Sequence, residues 1–167
     1  MAFYHMETLN VQVVESPMPV PSDLGLLTMK ITDSDENCLL CIGCYHPPPS
    51  QDAALLDFLT VNLYSMMMAS QCDRVVIIHD LHQHNVRDTF NTLLIVNDLH
   101  NPTHISRSSL DTVVTDLSPH TVQCQTLDFV GTPDHVAVLT RISSRSHMRA
   151  TPTYSGRQQT GRLSELL

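Results

Sequence analysis

Three short clusters hold the residue types that acid–base, metal and phosphate chemistry needs. Asp80, His82 and His84 follow the β-branched run Val75-Val76-Ile77-Ile78, Asp111 follows Leu110 at the head of another apolar run, and the pair Asp134-His135 precedes Val136-Ala137-Val138-Leu139. Groups of this kind are commonly presented where buried strands end and loops begin. Adjacent Asp and His point to opposite faces along a strand, but in a loop entering a strand both turn into one site. There the carboxylate orients an imidazole that acts as a base or contacts phosphate.

Two further sets have ligand-like spacing. His79, His82 and His84, followed by His100 and His104, are spaced as zinc ligands can be. Without a Cys-x-x-Cys partner or a His-Glu-x-x-His helix, solvated or hydrogen-bonded loop histidines are the simpler account. Cys38, Cys41 and Cys44 recur every third residue in a strand-like segment. Strand alternation puts Cys38 and Cys44 on one face and Cys41 on the other, so reduced, buried, structural thiols are expected.

The elements that must position these clusters follow from periodicity. Val11, Val13 and Val14 run into Pro17, Pro19 and Pro21, which reads as an edge strand and then a loop. Residues 26–32 and 38–45 read as adjacent antiparallel strands joined by the polar connection Asp33 to Asn37. After Pro47-Pro48-Pro49, Ser50 can cap a helix reaching about Ser70, with an apolar face of Ala53, Leu55, Leu56, Phe58, Leu59, Val61, Leu63, Met66 and Met67. The Met66-Met67-Met68 run reads as core filling. Residues 75–78 read as a central strand buried on both faces, with the polar cluster 79–85 in the loop beyond it. A second helix is expected over residues 86–98, turning Phe90, Leu93, Leu94 and Val96 inward, then an irregular loop over 100–109. Strands are expected at 110–116, 121–129 and 135–142, in an α/β or α+β layered architecture with a mixed sheet.

Composition bounds the function classes. With 167 residues, 42% hydrophobic and no Trp, the chain is one globular domain or part of one, which excludes collagen-like, coiled-coil and disulfide-scaffold proteins. Its net charge of −8 argues against a basic nucleic-acid binder of the usual kind, which neutralises phosphates with cationic patches. The imbalance is uneven: residues 1–134 hold 16 acids and 4 bases, and residues 135–167 hold 1 acid and 5 bases. The acidic part suits a cation-dependent site. No apolar run is expected to approach the ~20 residues of a membrane span. The opening Met-Ala-Phe-Tyr-His-Met-Glu lacks the parts of a signal peptide. An intracellular protein, nuclear or cytoplasmic and not secreted or membrane-bound, is therefore expected.

Five motifs in order carry a family resemblance: Tyr45-His46-Pro47-Pro48, Val76-Ile77-Ile78-His79-Asp80-Leu81-His82, Pro102-Thr103-His104, Leu110-Asp111-Thr112-Val113-Val114-Thr115 and Gly131-Thr132-Pro133-Asp134-His135. Residues 26–142 resemble the C-terminal half to two-thirds of an endonuclease/exonuclease/phosphatase domain, in the version found in non-LTR retrotransposons. The resemblance implies a DNase I-like, four-layered α/β sandwich, here incomplete, with mixed β-sheets and flanking helices. Residues 1–25 form an atypical N-terminal segment and 143–167 a basic flexible tail, which in the parent elements would lead toward a reverse transcriptase region.

The resemblance also implies a chemistry: divalent-metal-dependent hydrolysis of DNA phosphodiesters, with Mg2+ or Mn2+. Asp80 takes the place of the Asp that holds or activates the attacking water, and His82 the place of an Asn that orients the nucleophile. Asp111 matches the Leu-Asp position. Asp134 and His135 match the Ser-Asp-His motif, in which the His contacts the scissile phosphate. Asp80 and Asp134 are the implied metal ligands, and Tyr45 and His104 the implied substrate contacts.

This chain departs from the pattern at His79 for Gly, His82 for Asn and Pro133 for Ser. An imidazole at 79 is expected to crowd the site, and Pro133 removes a backbone N–H just before Asp134. The family's early Asn and Glu motifs are not found before residue 26, where Glu7 and Glu15 lie outside any family context. The expected state is a truncated, impaired endonuclease whose sheet has an open apolar edge. The competing class is a noncatalytic relic, at most a nucleic-acid or protein interaction module using the basic tail around Arg145, Arg149, Arg157 and Arg162.

Overall fold

Runs of β-branched residues and two leucine-rich stretches build nine elements in a computed structural model, which describes residues 9–22, 24–45, 52–80, 87–102, 111–126 and 138–143. In chain order these are β1 (Asn10–Val13), β2 (Gly25–Thr32), β3 (Cys38–Tyr45), α1 (Asp52–Ser70), β4 (Arg74–Asp80), α2 (Arg87–Val96), β5 (Asp111–Thr115), β6 (Val122–Thr126) and β7 (Val138–Ile142). A five-stranded mixed sheet has the order β1-β2-β3-β4-β5, and β6 and β7 form a two-stranded sheet.

The first three strands are antiparallel neighbours. The β2–β3 connection closes because the Asp33 carboxylate accepts the backbone N–H of Asp35 at 2.8 Å and of Asn37 at 3.0 Å, while the Asn37 amide donates to its other oxygen at 2.9 Å. Glu36 takes the left-handed conformation that this tight connection requires. The Asn37 amide, with the two backbone donors, holds the Asp33 carboxyl below its ordinary range.

β3 and β4 are parallel, an arrangement that needs a crossover, and α1 supplies it. Both helices end in the same way. Gln71 and Asp98 adopt left-handed conformations, so Cys72 N–H reaches Met67 O at 3.0 Å and Leu99 N–H reaches Leu94 O at 2.8 Å. This is the Schellman geometry, in which the residue after the turn folds back on the last helical turn. Cys72 and Leu99 accordingly join the core.

That core lies between the five-stranded sheet and the helices. Leu40, Ile42, Val75, Ile77 and Val114 from the strands meet Leu55, Leu56, Leu59, Leu63, Met66 and Leu93. Fully burying a side chain of this size contributes roughly 1.5–3 kcal/mol. On the opposite face of the sheet Val76 and Val113 pack with Leu117 and Val122, joined by Leu39, Cys124 and Val138. The β6–β7 pair therefore covers part of that face, and the described residues form three layers: helices, a five-stranded sheet and a two-stranded sheet.

Several sequence expectations are corrected. The apolar face of α1 is narrower than expected: Val61 is exposed, because about 100° per residue turns it away from Leu59 and Leu63. Met66 fills the core, but Met68 is exposed. Val96 ends α2 facing solvent, and Leu99 occupies the core in its stead. Residues 53–70 have a mean hydropathy of 1.3, long and apolar enough to cross a membrane by length and composition. Asp57, Thr60, Asn62 and Ser65 interrupt that stretch, so it is not an unbroken apolar run, and its Leu55, Leu56, Leu59, Leu63 and Met66 are core residues. The sheet edge at β1 is four residues long and alternates Asn10 and Gln12 with Val11 and Val13, so it is short and half polar, not an apolar edge.

Candidate functional site

β4 runs two residues further than its apolar core suggests. Residues 79 and 80 were expected in a loop, yet pairing with β5 continues through His79–Thr112 and Asp80–Asp111. The ladder, not hydrophobicity, extends the strand. Asp80 and Asp111 are thus direct partners across an antiparallel pair. On the other side of β4 the parallel register sets Cys44 beside His79, so Tyr45 comes next to Asp80, and Tyr45 is itself the partner of Gly25. Positions 25, 45, 80 and 111 form one row across four strands, at the end where β3 and β4 finish and β5 begins.

Gly25 matters in that row. A Cβ there would come within 3.1 Å of the Tyr45 carbonyl oxygen and 3.6 Å of its ring, so the bare backbone leaves room for the tyrosine. Tyr45 is 46% exposed.

The neighbouring row, Cys44, His79 and Thr112, alternates to the other face and is buried beneath the helices at 2%, 4% and 6% exposure. His79 was expected to crowd the candidate site. Because strand neighbours alternate, it lies on the helix-covered face and Asp80 occupies a position of opposite parity. Ile78, expected to be buried on a central strand, shares the parity of Asp80 and is 36% exposed. The face that carries the candidate row opens to solvent at this end, while the helix face stays closed.

Of the sequence-predicted site residues, the structure brings the Tyr45, Asp80 and Asp111 positions together. His82, His104, Asp134 and His135 lie outside the described residues, as do Ser50, His84 and the motif around Pro133. Among the described residues no group of three His, Cys, Asp or Glu side chains is arranged to hold a metal ion. A groove of about 430 Å3 lies elsewhere, between residues 13–20 and β2. Its lining is mostly apolar, with Glu15 its one carboxylate, and it is separated from β5 by β3 and β4.

The far end of β5 holds a polar lock that strand periodicity did not reveal. Thr115, fully buried, donates to Val75 O at 2.6 Å and accepts from Leu117 N–H at 3.1 Å. Asp116 was expected as the last strand residue. Instead its carboxylate accepts the Val75 N–H at 2.8 Å and pairs with Arg74 at 3.5 Å. Burial raises the Asp116 carboxyl above its ordinary value, opposed by the Val75 hydrogen bond and the Arg74 charge. His100 exchanges two backbone hydrogen bonds with Thr115 along the outer edge of β5. The strand that carries Asp111 is therefore clamped at its other end.

The five cysteines are free thiols. Cys44 and Cys41 fall on opposite faces as strand alternation requires. Burial pushes the Cys41 thiol up to about 11 and the Cys44 thiol higher still, so both are unreactive core groups.

No protein-family description matches the chain, and no curated protein does. Among solved structures it is similar to the human Nocturnin catalytic domain with bound sulfate anion, with a TM-score of 0.49 and 7% sequence identity over 80% of this chain and 71% of that one.

Proposed function

We propose that this chain is a retrotransposon-derived phosphodiesterase domain of the endonuclease/exonuclease/phosphatase type, with DNA as its inherited substrate, a divalent cation as its cofactor and reduced activity. The observation that supports this reading best is the register pairing of Asp80 with Asp111 beside Tyr45, at the solvent-open end of the sheet. Like charges directly opposite one another in a ladder repel, by up to about 1 kcal/mol. A hard cation, which takes oxygen ligands, would relieve that repulsion, and Mg2+ or Mn2+ is the cofactor this reading requires. The sequence motifs at residues 102–104 and 131–135, in that order along the chain, complete the reading.

In this reading Asp80 and Asp134 hold the cation, which when bound supplies neutralising charge at the phosphoryl oxygens. Asp80 aligns the attacking water and draws its proton, with His82 as a second hydrogen-bonding group. Asp111 supports Asp80 from the facing strand. Tyr45 and His104 contact substrate phosphate, and His135 donates to the oxygen on which charge develops. Substitution of His82 for an amide and Pro133 for a hydroxyl-bearing residue lowers the rate, because small displacements of positioned groups are costly.

Nicking of supercoiled plasmid by the purified chain tests the proposal. With magnesium or manganese the expected outcome is slow nicking that stops in EDTA. It should fall by about 10²-fold or more in His135→Ala, as expected for loss of a transition-state donor. A folded chain, shown by circular dichroism, that leaves the plasmid intact with either metal overturns the proposal in favour of a noncatalytic module.

A further inference from the structure

Cys38 opens β3, and Cys72 lies between the end of α1 and the start of β4. The two are far apart in sequence, but β3 and β4 are parallel with Leu39 opposite Arg74. The ladder starts at that pair, and one further step along the same direction would set Cys38 beside Asp73, whose chain neighbour is Cys72. With an interstrand spacing near 4.8 Å and a Cα step of 3.8 Å, that continuation would place the two cysteine Cα atoms about 6 Å apart. That falls within the ~4.4–6.8 Å range of disulfides.

Direction agrees with distance. Cys72 belongs to the core cluster on the helix face, and Cys38 packs against the same cluster. Neither thiol is tightly engaged. Cys38 Sγ lies 3.7 Å from Glu36 O and 3.7 Å from Thr32 Oγ1, and Cys72 Sγ is 3.6 Å from Ser70 O, contacts that sulfur makes weakly. Burial raises the Cys72 thiol, and the neighbouring Cys38 thiol adds to that rise. The other cysteines are placed differently: Cys41 faces the other way, Cys44 sits at the opposite end of β3, and Cys124 is in β6.

We propose that Cys38 and Cys72 form a redox-active dithiol, a modification site at the base of the β3–β4 pair that reacts with low-molecular-weight disulfides such as glutathione disulfide. Cys38, the more accessible of the two, attacks first. Its sulfur bonds to one glutathione sulfur, the glutathione disulfide bond breaks, and the Cys38 proton leaves with the released thiol. Cys72 then attacks Cys38 Sγ, forming the protein disulfide and releasing the second glutathione with the Cys72 proton. Two protein thiols are oxidised and one small disulfide is reduced to two thiols. The product ties the end of α1 to the start of β3 and closes the β3–α1 loop.

The test uses the full chain, incubated with glutathione disulfide, unfolded, alkylated and mapped by mass spectrometry. The expected result is a peptide pair linked through Cys38 and Cys72, three alkylated cysteines, reversal by dithiothreitol, and a Tm raised by roughly 5–10 °C. Cys72→Ser should stop at a glutathione adduct on Cys38 with no rise in Tm. Five alkylated thiols, a stable adduct on Cys38 with Cys72 alkylated, or a link between any other pair in the unsubstituted chain overturns the proposal. Those outcomes need no variant, so a folding defect in Cys72→Ser leaves the test intact.

Discussion

On the helix side of the five-stranded sheet, burial runs the full length of β3 and β4, from Leu40 and Val75 to Cys44 and His79. On the other side it fades along the same strands: Cys41 and Val76 are buried, Ile78 is 36% exposed and Tyr45 is 46% exposed. Two faces of one ladder thus take different tasks. The helix face has continuous apolar cover and holds the fold. The other is covered by β6 and β7 around Val76 and Val113, and its open end is where the Tyr45, Asp80 and Asp111 positions line up.

Ile77 and Ile78 give the sharpest trial of this contrast, since they are the same residue type, adjacent in one strand and on opposite faces. Ile77→Ala should cost about 3–4 kcal/mol in urea denaturation, and Ile78→Ala about 1 kcal/mol. Equal losses would break the comparison by showing that both faces are closed in solution.

A smaller effect is expected at the clamp on β5. Thr115→Val keeps the shape but leaves the Val75 carbonyl and Leu117 N–H without their hydroxyl partner. A loss of about 2 kcal/mol is expected. A loss near zero would mean that β5 is held by its ladder alone, and that the second-sheet face needs no polar anchor.

The smallest effect concerns pH. The folded Asp116 carboxyl lies above its ordinary value of 3.8, mainly through burial. For an acid shifted this way the folded state binds the proton more tightly than the unfolded state does. Its contribution is fully present below the unfolded value and is lost as pH rises through the folded one. Asp116→Asn should therefore gain on the parent as pH rises through that window. Asp33, held below its ordinary range, has the opposite sign, and its contribution is lost as pH falls. A constant difference between Asp116→Asn and the parent across the acid range would show that Asp116 is solvated and not part of the clamp.

Much of the fold was legible in the sequence because period and punctuation are local. Alternation and a polar connection gave β2, β3 and their antiparallel pairing, and the proline run followed by leucines gave α1. The three later strands were read in the right order, and among the described residues β5 stops one residue short of the expected Asp116 and β6 starts one residue after the expected Thr121. β5 ends at Thr115 because the Asp116 carboxylate takes the Val75 N–H. The candidate row was half legible: Asp80, Asp111 and Tyr45 were singled out by type and motif, whereas their adjacency depends on pairings between distant strands.

The sequence by itself determined the element types, the parity of Cys38, Cys41 and Cys44, and the uneven charge between residues 1–134 and 135–167, since each depends on residue order alone. Only the tertiary structure decided that Asp80 pairs in register with Asp111, that His79 turns under the helices, and that Cys38 and Cys72 pack on one core cluster. Register between strands comes from the whole sheet choosing the pairing that buries both apolar faces, and a shift of one residue would exchange those faces.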